Sequence, residues 1–217
     1  MPSNSTSIFQ EGAEFKSFQL VKDNVFNETE LIDELKRPGQ YPNCSGTRAL
    51  NDNLSDIKAQ IAANLKGANL VNELIDSYGL SVVQAYMNHI QQNAELEVRD
   101  LLKRVAKEKN TCTLSAEDMM DDGTVIALTI RIDPITGNAS FDFTGTGEMT
   151  YGNCNAPKSV TYSAIIYCLR CMIGHDIPLN HGCLAPIQVI FPTNSIISPS
   201  ENAAVVGGLL DNAYIFV

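Results

Sequence analysis

Residues 124–133 read Thr124-Val125-Ile126-Ala127-Leu128-Thr129-Ile130-Arg131-Ile132-Asp133, and this stretch decides the fold class. Ile126, Leu128, Ile130 and Ile132 point one way from an extended chain, while Ala127, Thr129 and Arg131 point the other. Turn residues bracket the run, with Asp121-Asp122-Gly123 before it and Pro134-Ile135-Thr136-Gly137-Asn138 after it. Strands near 112–120, 124–133 and 139–144 therefore form an antiparallel meander.

Upstream of that meander the period is helical. Leu50, Leu54, Ile57, Ile61 and Leu65 recur at threes and fours, and the pattern continues through Val71, Leu74 and Ile75 to Tyr78. Gly79 is placed to take a left-handed conformation that ends this helix, and Ser81 to cap a second one. The second helix carries Val82, Tyr86, Ile90, Val98, Leu101 and Val105 on one side. Two long helices joined by so short a turn are expected to lie antiparallel, each burying its stripe against the other. Nearer the start, Asn27-x-x-Glu30 has the pattern of a helix cap, predicting a short helix that runs to about Lys36 and stops at Pro38-Gly39. The opening, Ser7 to Val25, reads as extended structure.

Downstream, Thr144-Gly145-Thr146-Gly147 and Tyr151-Gly152-Asn153 are glycine turns. Asn155 is placed to cap a helix and Pro157 to sit in its first turn. Residues 160–173 are apolar nearly all round, as in a helix buried in a core. One strand is expected at Ile187 to Phe191, and another at Val205-Val206 running into Gly207-Gly208. The fold class is thus α+β: a long helix hairpin, an antiparallel meander and a buried apolar helix. The helical part spans about 27–106, the sheet-containing part about 111–208, and a tail follows at 209–217.

Composition narrows the function classes. The 217 residues are 44% hydrophobic, with 15 Lys plus Arg against 25 Asp plus Glu, a formal charge of −10 and a pI near 4.7. No nucleic-acid surface is expected from so acidic a chain without a basic cluster. Its apolar runs fall short of the ~20 residues that a membrane-spanning helix needs, and no secretory signal opens it, so a soluble, cytosolic protein is expected. Six dispersed cysteines without such a signal read as reduced thiols.

Several residues are candidates for chemistry. Arg48, Asp52, Asp56, Gln60 and Asn64 recur at every fourth position opposite the apolar stripe. Two carboxylates one turn apart can hold a hard cation or orient a polar substrate, although a solvated face with a local ion pair explains the same spacing. Cys168-x-x-Cys171 has a zinc or redox spacing but lies within an apolar helix without a second pair, which favours packing. His89, His175 and His181 have no recognisable nucleophile partner. The glycine turns can offer backbone amides to an anion, yet they match neither a P-loop nor a dinucleotide fingerprint.

An ordered series of short stretches adds a family resemblance. It includes Gln10-Glu11-Gly12, Pro42-Asn43-Cys44-Ser45-Gly46-Thr47-Arg48, Asp52-Asn53-Leu54-Ser55-Asp56 leading to Ala59-Gln60, and Ala62-Ala63-Asn64. Tyr86-Met87, His89-Ile90-Gln91, Asp121-Asp122-Gly123, Phe141-Asp142-Phe143, Asn155-Ala156-Pro157 and Cys183-Leu184-Ala185-Pro186 extend it. Together they resemble the hydantoinase B part of eukaryotic-type 5-oxoprolinases, from about Phe9 to Gly208.

That resemblance implies a piece of an enzyme that opens a cyclic amide, 5-oxo-L-proline, to glutamate in glutathione metabolism. It implies a hydantoinase A-like half that uses ATP and Mg²⁺ outside this chain, and a homo-oligomer when complete. The family's metal site comes from Gly-Gly-Thr-His-Leu-Pro-Asp and His-His-Ala-Asp segments that are not present here, so no metal ligand is expected in this chain. After Val205-Val206-Gly207-Gly208 the family pattern also departs, giving way to Leu209-Leu210-Asp211-Asn212. The expectation is a fragment, inactive alone, that supplies scaffold and part of a pocket wall. Arg48, Asp52, Asp56, Asn153 and Asn155 are the substrate-pocket candidates, with the catalytic residues unassigned. The competing expectation is a non-enzymatic interaction module that pairs with full-length subunits through its exposed core faces.

Overall fold

A computed structural model describes residues 4–178 and 180–208. Its contacts divide the described residues into two compact units, one comprising 4–83, 151–153 and 202–204, the other 84–150, 154–178, 180–201 and 205–208. The expected strand at Val205-Val206 is not formed, since Val205 has no regular structure and Val206 lies in a turn, and the tail at 209–217 lies outside the described residues.

The first unit is mainly helical. Helix α1 spans Ile8–Glu11, where Ser7 Oγ accepts a hydrogen bond from the Phe9 amide at 3.4 Å. The opening is therefore not wholly extended, because Ser7 initiates a helical turn. Strands β1 (Val21–Lys22) and β2 (Val25–Phe26) then pair antiparallel. Asp23 and Asn24 supply the turn between them at φ of 50° and 63°, a conformation that short polar side chains tolerate.

Helix α2 (Glu28–Lys36) leads through a 3-10 turn at Arg37–Gln40 and a loop to α3 (Leu50–Tyr78). Asn27 does not cap α2: it donates instead from Nδ2 to Glu30 Oε2 at 2.6 Å, leaving no side-chain oxygen on the helix amides. Leu31, Leu35 and Leu54 form the centre of this unit, with Phe18, Leu20, Phe26 and Ile57 packed around them. Burial of each of the three leucines contributes about 1.5–3 kcal/mol.

Only the first part of the α3 stripe is covered. Leu54 is buried and Ile57 half-buried, whereas Leu65, Leu70, Val71, Leu74 and Tyr78 are exposed. The same holds for Leu80, Val82, Tyr86, Met87 and Ile90 at the start of α4 (Leu80–Lys109). The helices exist over the expected residues, but the expected burial of their stripes stops near Ile61 and resumes at Ala94. Gly79 separates them with φ 84° and ψ 147°, outside the left-handed helical region, and α4 begins directly after it. Ser81 therefore lies inside α4 and caps nothing.

The second unit is built on a four-stranded sheet. Strands β3 (Thr113–Met119), β4 (Val125–Ile132) and β5 (Ala139–Asp142) form the antiparallel meander, in the register Ala116↔Leu128 and Ile130↔Phe141. A fourth strand, β6 (Ile187–Ile190), joins β5 in parallel. One face of the sheet packs on Val98, Leu101 and Leu102 of α4 and on Ile165 and Leu169 of α5 (Lys158–Ile173), in a single apolar cluster. Phe143 sits fully buried in this cluster, its ring stacked on Phe191 with centroids 5.9 Å apart.

Helix α5 buries Val160, Thr161, Ala164, Ile165, Leu169 and Ile173. Tyr162, Tyr167, Cys171 and Met172 on its other side are exposed, so its apolar composition exceeds what this unit covers. Pro157 rather than Asn155 occupies the cap position of α5 and has no side-chain acceptor to offer, while the Asn155 amide is bonded to Thr150. All six cysteines are free, including the Cys168 and Cys171 pair on α5. Burial, and secondarily the neighbouring Cys171, raises the Cys168 thiol above its ordinary range, which suits packing better than reactivity.

Candidate functional site

Within the first unit, the stretches 10–13 and 45–53 come together around a hollow of about 260 Å³. Gln10, Glu11, Gly12 and Ala13 form one side, Ser45, Gly46, Thr47, Arg48, Ala49 and Asn53 the other, and Leu35 contributes an apolar patch. The local chain geometry explains why. Gly46 adopts φ +62°, and a Cβ there would meet the Gly39 amide nitrogen at 3.2 Å, so the loop lies flat against the turn after α2. The Thr47 amide donates to Leu35 O at 3.4 Å, and Asn53 Nδ2 donates to Thr47 Oγ1 at 2.5 Å, pinning the loop to α2 and to the first turns of α3.

The opposite side is equally tied down. Ser5 Oγ donates to Glu11 Oε1 at 2.7 Å, and Gln10 Oε1 accepts from the Thr6 amide at 2.9 Å. The Ile8 amide donates to Asn202 O at 3.1 Å, and the Phe9 and Tyr41 rings stack with centroids 4.5 Å apart. Glu11 is the one carboxylate lining the hollow, and it accepts a hydrogen bond from the Ser5 hydroxyl.

The sequence-derived candidates are distributed unequally over this geometry. Arg48 lines the hollow and is exposed. Asp52 and Asp56 follow on the exposed side of α3 but do not line it, and no ion pair joins either to Arg48. Asn153 belongs to the first unit and Asn155 to the second. Asn155 is fully buried: its Oδ1 accepts from the Thr150 amide at 2.8 Å and its Nδ2 donates to Thr150 O at 3.0 Å, so its amide holds a turn shut. The glycine turn before it is also structural, since Thr146 Oγ1 both accepts from the Ala127 amide and donates to Ala127 O.

Gln10 and Asn53 were not among the candidates, although their stretches had been noted. Neither lies on a period that connects 10–13 to 45–53, so no local sequence signal brings them together.

A second hollow lies in the other unit, at the end of the sheet by Arg131, Asn138, Ser140 and Gln188. Its arginine is already neutralised by Asp142 at 3.1 Å. That contact lowers the Asp142 carboxyl, though less than the Thr144 side chain and amide do. Among the described residues, no group of three or more His, Cys, Asp or Glu side chains stands close enough to hold a metal ion. No described helix is long and apolar enough to cross a membrane.

Comparison with known proteins places these features in a family. Residues 1–214 match the family described as hydantoinase B/oxoprolinase. The chain is 50% identical over 96% of its length to 5-oxoprolinase 1 of Arabidopsis thaliana, of which it covers 18%. It is 45% identical, again over 96% of its length, to a 5-oxoprolinase of Saccharomyces cerevisiae, of which it covers 16%. Among solved structures, the ATP-dependent caprolactamase from Pseudomonas jessenii superposes with a TM-score of 0.74 at 19% identity, covering 97% of this chain and 35% of that one. At such identity the likeness concerns the fold. The chain spans about one sixth of the length of the curated relatives it matches.

Proposed function

This chain belongs to the hydantoinase B/oxoprolinase family, and from that premise we propose that it is one segment of an ATP-dependent 5-oxoprolinase, converting 5-oxo-L-proline, ATP and water to L-glutamate, ADP and phosphate. The observation that carries this reading is the 50% identity to a 5-oxoprolinase over nearly the whole chain. The step would belong to glutathione metabolism in the cytosol, and the complete enzyme would be a homo-oligomer containing a hydantoinase A-like half.

Division of labour follows from the chemistry. An unstrained lactam is a poor electrophile, and phosphorylation of its oxygen by ATP, supplied with Mg²⁺ by the A-like half, makes that oxygen a leaving group. Among the described residues no group of three or more His, Cys, Asp or Glu stands close enough to hold a metal ion, so no metal-dependent step is assigned to them. What they contribute is the shaped wall between 10–13 and 45–53, with Arg48 as its exposed charge. Asp52, Asp56 and Asn153 are kept as polar candidates that approach substrate only beside the rest of the enzyme. Asn155 acts one step back, holding the turn at Thr150.

Glutamate formation from 5-oxoproline, ATP and Mg²⁺ tests the reading. The chain alone is expected to be silent, and activity is expected when it is mixed with polypeptides supplying the rest of a 5-oxoprolinase. Silence of the mixture refutes the assignment.

A second reading is favoured by a separate observation. Leu70, Val71, Leu74 and Tyr78 share one side of α3 and are all exposed, as an interaction module that pairs with full-length subunits requires. Size-exclusion chromatography distinguishes the two. Co-elution with a full-length 5-oxoprolinase without any effect on turnover favours the module, and a compact monomer that binds no full-length enzyme excludes it.

A further inference from the structure

Arginines in this chain are generally neutralised within it. Arg37 pairs with Glu34 at 3.1 Å, Arg99 with Glu95 at 2.7 Å and Arg131 with Asp142 at 3.1 Å, while Arg170 pairs with Asp176. Arg104 stands exposed on α4 and lines neither of the hollows described above. Arg48 combines two properties that no other arginine among the described residues shares: it lines a concave surface and it has no ion-pair or hydrogen-bond partner there. Glu11 lines the same hollow, but its carboxylate accepts from Ser5 and makes no ion pair with Arg48.

A guanidinium fork beside a hollow recognises a planar anion, above all a carboxylate taken in bidentate fashion. The remaining lining suits a small ring attached to that carboxylate. Leu35, Ala13 and Ala49 offer apolar surface to methylenes, and Asn53 offers an amide to a lactam. A volume of about 260 Å³ falls just below the roughly 300–1,000 Å³ typical of drug-sized sites, which fits a compact ligand.

We propose that the hollow between 10–13 and 45–53 is a carboxylate-selecting subsite, in which Arg48 grips the carboxylate of an amino-acid-derived lactam and thereby distinguishes it from an uncharged lactam. The choice of ligand rests on the 5-oxoprolinase reading. The selection itself rests on Arg48 and the walls around it, all within one compact unit. Arg48 is here a specificity-determining residue, and no bond is made or broken on it.

The test compares 5-oxoproline with 2-pyrrolidinone, the same ring without its carboxylate, by ligand-observed NMR titration of the full 217-residue chain. The wild type is expected to prefer 5-oxoproline. Arg48→Met, which keeps the aliphatic bulk and removes the charge, is expected to weaken 5-oxoproline binding about 10- to 100-fold while leaving 2-pyrrolidinone within about twofold. Arg48→Lys is expected to recover part of the preference, since it restores charge without the fork. Unchanged far-UV circular dichroism in both variants secures the comparison. In the reconstituted enzyme the same Met substitution should raise KM for 5-oxoproline with little change in kcat. Absence of 5-oxoproline binding by the chain, equal affinity for both lactams, or an equal loss of both in Arg48→Met overturns the proposal. A reconstituted mixture that makes no glutamate, with carboxylate-selective binding intact, overturns the 5-oxoprolinase reading instead.

Discussion

Replacing Gly137 by alanine tests the packing of the β4–β5 turn against α4. Gly137 sits at φ +73°, and a Cβ there would lie 2.7 Å from Arg99 O and 2.9 Å from Arg99 Cα and Cβ. The left-handed conformation costs an L-residue about 1–2 kcal/mol, and forced overlap with a packed neighbour about 1–3 kcal/mol more. Stiffening of the unfolded chain returns only about 0.4–1 kcal/mol. The net expectation is a loss of about 2–4 kcal/mol. The turn has little freedom to move aside: Gly137 N donates to Asp133 O at 2.8 Å, and Arg99 Nη1 donates to Thr136 O at 3.0 Å and to Asn138 Oδ1 at 2.8 Å. In a urea titration followed by circular dichroism, with a slope near 2 kcal/mol per M, the midpoint of the second unit's transition should fall by about 1–2 M. Adding Arg99→Ala should not rescue it, because the obstructing carbonyl and Cα remain. A midpoint shift under about 0.3 M at unchanged slope would refute the packing argument.

Three further outcomes are expected. Phe143→Ala, which empties a fully buried ring site beside Phe191, should cost about 3–5 kcal/mol in the same titration. Asn155→Ala leaves the amide and carbonyl of Thr150 without their partners and should cost about 2–4 kcal/mol, seen as a lower urea midpoint and faster exchange of the Thr150 amide. The Asp133 carboxyl is held below its ordinary 3.8 by the Thr136 hydroxyl first and the Ile135 amide second. Its contribution to stability is therefore complete above pH 3.8 and is lost as pH falls below that value, so the gap in urea midpoint between wild type and Asp133→Asn should close on acidification and stay constant from pH 5 to 7.

Local pattern carried most of the fold. Alternation from Leu128 to Ile132, between flanking turns, marked a strand whose neighbours pair in the expected antiparallel order. The long helices were equally legible from the spacing of Leu50, Leu54, Ile57 and Ile61 and of Val98, Leu101 and Val105. What the pattern could not convey is which apolar residues find partners. The stripes of α3 and α4 read as continuous, yet Leu70, Leu74, Tyr86 and Ile90 remain exposed while Leu54 and Val98 are buried. Periodicity identifies a face and says nothing of what covers it. Cap assignments failed for a related reason, since Asn27 and Asn155 each had competing partners, Glu30 and Thr150, that local sequence ranks no lower than a helix amide.

The hollow around Arg48 lay further from reach. Its two walls are separated by more than thirty positions and belong to different turns, so only the ordered family stretches flagged both, and neither stretch revealed that they face one another. Arg48 was selected for its four-residue spacing to Asp52 and Asp56, which suggested an ion pair along a helix. The structure gives the arginine a different meaning. Helix α3 starts at Leu50, so Arg48 precedes the helical face on which the two aspartates stand, and its side chain belongs to the loop. Arg48 forms no ion pair with Glu11 across the hollow or with the aspartates outside the lining, although the protein carries a net charge of −10. An unpaired guanidinium at a concave surface is open to an anion from solution, and the proposed carboxylate subsite rests on that openness rather than on helical spacing.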